Sequence, residues 1–258
     1  MSESITPSPT EQPLLAHLVE LRSCIVRALI GVAIVLVPLL FYARELYHYL
    51  ARPLLKLLPA GSSMIATEVA SPFFTPFKLA AMLAFAIALP WVLYQIWAFV
   101  APGLYRNERK LVVPLLVSST SLFYLGVAFA YYLVLPTVFK FFVSSAPEGV
   151  AVMTDVSKYL DFVLKLFLAF GVAFETPVAI VLLVLTGFIT PQQLSARRDY
   201  VLVGVFVVAA ILTPPDVMSQ TMLAVPSYLL FEVGVLASRW LVRKRKPAEA
   251  DAEAQPPA

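Results

Sequence analysis

Long apolar segments are the feature that most constrains this chain. A helix needs about 20 residues, at about 1.5 Å each, to cross a hydrocarbon layer about 30 Å thick. With 60% hydrophobic and 14% charged residues and a mean hydropathy of +0.84, the chain is too apolar for a water-soluble domain. The sequence therefore predicts an all-α integral membrane protein with six transmembrane helices. The apolar runs are 25–42, 76–100, 111–136, 161–188, the shorter 200–213, and 221–242.

Charges between the runs predict the orientation. Three hydrophilic segments on one side are rich in Lys and Arg, which keeps such segments in the cytoplasm. The longer connections on the other side mix both signs of charge. Both termini are therefore predicted to be cytoplasmic. The basic residues concerned are Arg106, Arg109, Lys110, Arg197, Arg198 and the RKRK run at 243–246.

The same patterns divide the chain. Residues 1–24 are predicted to form a cytoplasmic tail and an interfacial amphipathic helix, with no sign of a cleavable signal. Residues 25–242 form the six-helix domain, with two periplasmic caps at about 43–75 and 141–160. The tail 243–258 is small, polar and Pro-rich and is predicted to be disordered.

The spans are expected to be bent and unequal. The fifth would rise only about 21 Å as a helix, short of the hydrocarbon thickness. Proline removes a backbone donor and tends to bend a helix, and bent helices of unequal length favour a curved wall over a straight bundle. Prolines in or at the ends of spans are Pro90, Pro114, Pro136, Pro177 and Pro226.

Two cytoplasmic stretches contain acids. PLLAHLVELRSCI at 13–25 holds Glu20 and Arg22, and APGLYRNERKL at 101–111 holds Glu108. From the pattern alone, Glu20 and Arg22 could be solvated charges beside the head groups. Glu108 could form a local surface ion pair, which contributes at most about 1 kcal/mol.

Glu175 interrupts the apolar run AFGVAFETPVAIVLLV at 169–184. A charged side chain at that depth costs at least a few kcal/mol, so an intramembrane carboxylate indicates a functional site. The alternative is a protonated carboxyl group hydrogen-bonded to a neighbouring helix, helped by a carbonyl that Pro177 frees. Glu232 poses a similar question in the last span.

The outer turn between the last two spans reads ILTPPDVMSQTML at 211–223. Asp216 or Ser219 can cap the following helix, since both side chains accept hydrogen bonds from backbone N–H groups. Thr213 and Gln220 then lie at membrane depth, where they could hydrogen-bond to an incoming helix.

Three classes of function were compared. An enzyme is not expected, because His17 and His48 lie outside the spans and no HExxH, GxSxG or phosphate-binding loop is present. A single cysteine, Cys24, excludes a thiolate metal cluster, and neither metal nor cofactor is expected. The alternative is a proton- or cation-coupled secondary transporter using Glu175, although no inverted repeat is visible. A membrane receptor and scaffold accommodates all these stretches together.

Taken together, the stretches resemble the TatC family, the multispanning core and receptor subunit of the twin-arginine protein translocase. The resemblance runs from about Gln12 to about Arg243. It implies six spans in a concave, glove-like arrangement in the bacterial inner (cytoplasmic) membrane. The motifs that carry it are HLVELR, MIATEVASPFFTPFKL, QIWAFVAPGLYRNERKLVVPLLVSS, FGVAFETPVAIVLL and LTPPDVMSQT.

The resemblance implies binding of the twin-arginine signal peptides of folded cargo, then recruitment of single-span TatA- and TatB-type subunits into an oligomeric complex. Transport would be driven by the proton motive force, with no nucleic acid involved. The residues implied for signal-peptide binding are Glu20, Glu108, Arg22 and Phe99. Those implied for intramembrane and partner contacts are Glu175, Thr213 and Gln220, and those for support of the periplasmic cap are Pro53, Pro214 and Asp216.

Two positions depart from the family pattern. Cys24 stands where relatives often have a basic residue after HLxELR, which shifts more of the expected recognition onto Arg22. Asp199 follows Arg197 and Arg198 at the entry to the fifth span.

Overall fold

The protein is described by a computed structural model. It covers residues 11–55, 65–100, 112–145, 153–212 and 216–253, with side chains at 18–50, 65–99, 112–145, 153–212 and 216–243. The described chain is helical apart from short turns and one bridged pair of residues. The helices are α1 Glu11–Phe41, α2 Ala43–Leu55, α3 Ser71–Val100, α4 Val112–Phe129, α5 Leu135–Ser144, α6 Val156–Phe174, α7 Thr176–Leu185, α8 Pro191–Ala196, α9 Arg198–Leu212 and α10 Val217–Glu253.

Five segments of the described chain have the length and hydropathy to cross a membrane. They confirm the prediction of an all-helical membrane protein, and each matches one of the long apolar runs. The segments are Leu18–Phe41, Ser71–Phe99, Val112–Ser144, Val156–Leu185 and Val217–Arg243.

Helix α9 corresponds to the short fifth span expected from the sequence. Its 15 residues rise about 22 Å, less than a full hydrocarbon thickness. It packs against α10 and α6. The count of six spans and the sidedness of the termini remain predictions.

The core forms where α4 and α6 run antiparallel. Phe123 lies against Gly171, and the carbonyl of Phe170 lies against Gly126. A Cβ added at either glycine would collide with its neighbour, so the two glycines allow the close approach of the helices. The buried side chains along this seam include Phe123, Tyr159, Val163, Leu166 and Phe170.

Two long spans are interrupted where the sequence places proline. The span begun by α4 passes through a π-helical turn, Ala130–Val134, before α5, which has Pro136 in its first turn. The next span breaks between α6 and α7, directly before Pro177. Proline cannot donate to the carbonyl four residues back, so each interruption has a covalent cause.

The connection before α3 and the connection before α6 join each other. The N–H of Ile65 donates to the carbonyl of Thr154 at 3.0 Å, and the N–H of Val156 donates to the carbonyl of Ile65 at 2.9 Å. Much of the first connection is itself helical, as α2. The caps expected at about 43–75 and 141–160 are thus linked by a short parallel bridge.

The predicted disorder of the tail 243–258 stays a prediction. The backbone of α10 remains helical through Glu253, ten residues past Arg243. Lys, Arg, Glu and Ala, which dominate RKRKPAEADAE, are good helix formers, whereas Pro247 within the segment disfavours helix.

Candidate functional site

Helices α1 and α3 pack against each other. Indole Nε1 of Trp91 donates to the carbonyl of Arg27 at 2.9 Å, and the groove between these helices is also lined by Ile34 and Ile87. Trp91 therefore contacts Arg27 and lies over Gly31, one helical turn further along α1, and the two helices run antiparallel if the groove residues 34 and 87 face each other. The same register places Glu20, seven residues before Arg27, level with the end of α3 near Phe99.

Glu20 and Phe99 therefore lie near the same end of the α1–α3 pair. Glu20 and Arg22 are exposed, and Phe99 is half-buried. Glu108 lies outside the described residues, in the connection from α3, which ends at Val100, to α4, which begins at Val112. Because α3 ends at Val100, that connection begins next to Phe99 in the chain.

Glu175 occupies the break between α6 and α7. Its carboxylate Oε2 accepts a hydrogen bond from the hydroxyl of Ser119 on α4, a residue that is 2% exposed. Oxygen Oε1 is buried and has no hydrogen-bond partner among the described residues. The predicted contact with a neighbouring helix is thus present, and one carboxylate oxygen remains for a further donor.

The carbonyl that Pro177 frees is used locally. Pro177 cannot donate to Ala173, and the hydroxyl of Thr176 donates to that carbonyl at 2.7 Å instead. The N–H of Glu175 turns to the carbonyl of Val172 at 3.0 Å. The break is therefore satisfied by its own residues, and Glu175 is left to bond across to α4.

Asp216 caps α10, as the sequence predicted for either Asp216 or Ser219. Its Oδ1 accepts from the N–H of Ser219 at 2.7 Å, while its Oδ2 and the Ser219 hydroxyl are buried without a partner among the described residues. The amide Nε2 of Gln220 donates to the carbonyl of Phe206 on α9 at 3.0 Å. Gln220 thus fixes α10 to α9 within the chain.

Three further predicted residues have no described side chain. Thr213 and Pro214 lie outside the described residues. Pro53 is part of the helical backbone of α2, but its side chain lies outside the described side chains.

Glu232 has a partner that the sequence did not identify. Arg198 at the start of α9 donates to Glu232 at 2.7 Å, and the hydroxyl of Tyr228 donates to the same carboxylate at 3.3 Å. In the sequence, Arg198 and Glu232 are recognisable only as opposite charges in or beside apolar runs. Several other charged residues share that property, so the sequence does not identify this pair. Glu232 therefore holds α9 to α10.

Asp155 is a second residue that sequence reasoning missed. Its Oδ1 accepts from the N–H groups of Ser157 and Lys158, and its Oδ2 accepts from the N–H and hydroxyl of Thr67 at 2.8 and 2.7 Å. These donors, led by the N–H of Lys158, lower the pKa of Asp155 to about 2. Its N-cap position before α6 was readable from the sequence, but the contact with Thr67 was not.

Tyr47 on α2 lies near this carboxylate. Burial, and secondarily the negative charge of Asp155, raise the pKa of Tyr47 to about 12. Further along the outer ends of α3 and α6, Lys78 donates to Asp161 at 3.1 Å. The outer cap is therefore held by polar contacts between segments far apart in the chain.

These features define a multispanning helical membrane protein with broken spans, an intramembrane carboxylate held by a neighbouring helix, and an exposed acid, Glu20, within its first helix. The family model "Sec-independent protein translocase protein (TatC)" matches residues 16–226. The chain belongs to the TatC family.

Relatives match over nearly their whole length. The Sec-independent protein translocase protein TatC of Escherichia coli (strain K12) is 56% identical over 238 residues, 92% of each chain. The TatC protein of Haemophilus influenzae is 55% identical over 229 residues, 89% of this chain and 90% of the relative. The solved structure described as "Crystal Structure of Twin Arginine Translocase Receptor- TatC" is 38% identical, with a TM-score of 0.77, and covers 87% of this chain and 98% of that one.

Proposed function

We propose that this protein is the multispanning core subunit of a twin-arginine translocase, which binds signal peptides of folded proteins and gathers single-span subunits for export. The observation that carries this conclusion is the family match over residues 16–226, which includes both HLVELR and the Glu175 region. Its relatives are named as translocase proteins, which gives a transport role. The secondary-transporter alternative receives no support from them.

Signal-peptide recognition is assigned to Glu20 and Glu108, with Arg22 and Phe99 beside them. A guanidinium group can form two parallel hydrogen bonds with one carboxylate, whereas a lysine ammonium group cannot. Two acids can thus distinguish paired arginines from paired lysines. The exposure of Glu20 and the α1–α3 register that places it level with Phe99 support this assignment.

Partner recruitment is assigned to Glu175, Thr213 and Gln220. Oxygen Oε1 of Glu175, buried and without a hydrogen-bond partner in the described part of the chain, supports a contact with a donor from an incoming helix or cargo. Gln220 borders a shallow cavity of about 360 Å³ on the face of α9. The partners proposed are TatA- and TatB-type subunits in an oligomeric complex. Pro53, Pro214 and Asp216 support the outer cap.

The proposed setting is the bacterial inner membrane with both termini in the cytoplasm, as the basic connections indicate. Energy comes from the proton motive force rather than from a reaction catalysed by this chain. The proposed domains are residues 1–24, the transmembrane part 25–242 with its periplasmic caps, and the tail 243–258.

The test is binding of labelled signal peptide to the purified protein in nanodiscs. Peptides with Arg-Arg and Lys-Lys are compared on wild type, Glu20→Gln, Glu108→Gln and the control Glu45→Gln, which alters an acid at the start of α2. We expect Arg-Arg binding to weaken at least about tenfold with each of the first two substitutions, as for a hydrogen bond to a charged group. Equal binding of both peptides, insensitive to either substitution, would contradict the assignment.

A further inference from the structure

A groove runs between α1 and α3 on the side of the first span. It encloses about 440 Å³. Its walls are mostly apolar, with a single basic residue and a tryptophan near one end. The α1–α3 groove is lined chiefly by Arg27, Ile30, Ile34, Val35, Ile87 and Trp91.

The groove is a built feature rather than a loose contact. The Trp91 indole is tied to the carbonyl of Arg27 at 2.9 Å and lies over Gly31, where any Cβ would collide with the ring. Pro90 adjoins it and also lines the groove. The shape of the groove near Arg27 is therefore held by a hydrogen bond and by close packing.

Arg27 has a charge that the chain does not neutralise. It is exposed, and among the described residues no side chain forms an ion pair or hydrogen bond with its guanidinium group. It stands two positions inside the apolar run that begins at Ile25. From this position the long side chain can carry its positive guanidinium group to the membrane interface, where lipid phosphates are the anions at hand.

The chemistry of the groove selects its ligand. A cationic peptide is disfavoured because the polar end is positive and no carboxylate lines the groove. A free inorganic anion would leave the apolar walls uncovered. An anionic phospholipid satisfies both parts, since its phosphate can accept from the guanidinium group while an acyl chain covers Ile30, Ile34 and Ile87.

We propose that the α1–α3 groove binds one anionic phospholipid, whose phosphate contacts Arg27 and whose acyl chain lies along the groove. The lipid belongs to the leaflet on the side of the N-terminus. No residue in the most apolar stretch of the first span is buried inside the protein. The bound lipid would cover part of this exposed surface.

The test is native mass spectrometry of the full chain titrated with phosphatidylglycerol and phosphatidylcholine of identical acyl chains. Wild type is expected to retain one phosphatidylglycerol with about fivefold preference, the effect of one basic group near a membrane surface. Arg27→Gln should abolish that preference. Arg243→Gln, which removes an exposed basic residue that does not line the groove, should preserve it.

A second pair of variants tests the apolar part. Ile34→Phe fills the groove and should weaken phosphatidylglycerol binding with Arg27 intact, whereas Val37→Phe alters an exposed position outside the groove and should not. Unchanged gel-filtration and thermal-unfolding profiles establish folding. Equal retention of the two lipids by wild type, or equal effects within either pair of variants, overturns the proposal.

Discussion

The hydroxyl of Ser119 donates a hydrogen bond to the carboxylate of Glu175 across the α4–α6 seam. The two residues are 56 positions apart in the chain. A half-buried carboxylate that the sequence leaves isolated is thus held by a neutral donor, and among the described residues no basic side chain forms an ion pair with it. Its orientation depends on the packing of two helices.

Replacing Ser119 with alanine should lower the free energy of unfolding by about 1 to 3 kcal/mol, because it leaves a buried carboxyl group without its donor. Ser118→Ala is the matched control, since that hydroxyl bonds only to the carbonyl of Leu115 in its own helix. Thermal unfolding in detergent micelles measures both. Ser119→Ala combined with Glu175→Gln should cost less than the sum of the two, and strict additivity would contradict the coupling.

Gly171→Ala should destabilise the α4–α6 seam. The new Cβ would collide with the ring of Phe123, and overpacking of this kind costs about 1 to 3 kcal/mol. Gly204→Ala is the control, because nothing lies within 4 Å of its added Cβ and alanine favours helix. A lower unfolding temperature only for Gly171→Ala is expected, and equal effects would show that the seam tolerates a methyl group.

Acid should loosen the outer cap through Asp155. Its pKa is about 2 in the folded protein and lower than in the unfolded chain, so its contribution to stability is present above about pH 4 and is lost as pH falls through about 2. Unfolding followed from pH 5 to pH 2 should show less acid sensitivity in Asp155→Asn than in wild type. Glu68→Gln, an exposed acid in the same cap, should retain the wild-type profile. Identical profiles for all three proteins would exclude this role.

The ion pair of Arg198 and Glu232 should contribute about 1 kcal/mol to the docking of α9 on α10. Its side chains are 42% and 26% exposed, which limits the gain. A double-mutant cycle of Arg198→Gln and Glu232→Gln, followed by thermal unfolding, measures the coupling. The same cycle with Arg197→Gln in place of Arg198→Gln should give no coupling. A coupling of similar size for both arginines would assign the effect to general charge.

Much of the fold could be read from the chain alone. The five long spans follow from apolar runs, because each run contains enough residues to satisfy its own backbone inside hydrocarbon. The shortness of α9 and the breaks near Pro136 and Pro177 follow from length and from the missing proline donor. The predicted signal-peptide and partner-binding roles remain proposals.

Helical segments, their breaks and the charges inside apolar runs can be read from local sequence, because each depends on residues close together in the chain. Tertiary structure alone decided which partner each buried polar group meets. Ser119 meets Glu175, Arg198 meets Glu232 across 34 positions, and Thr67 meets Asp155 across 88. Such pairings depend on helix register and close approach at small residues, and local propensity contains no information about either.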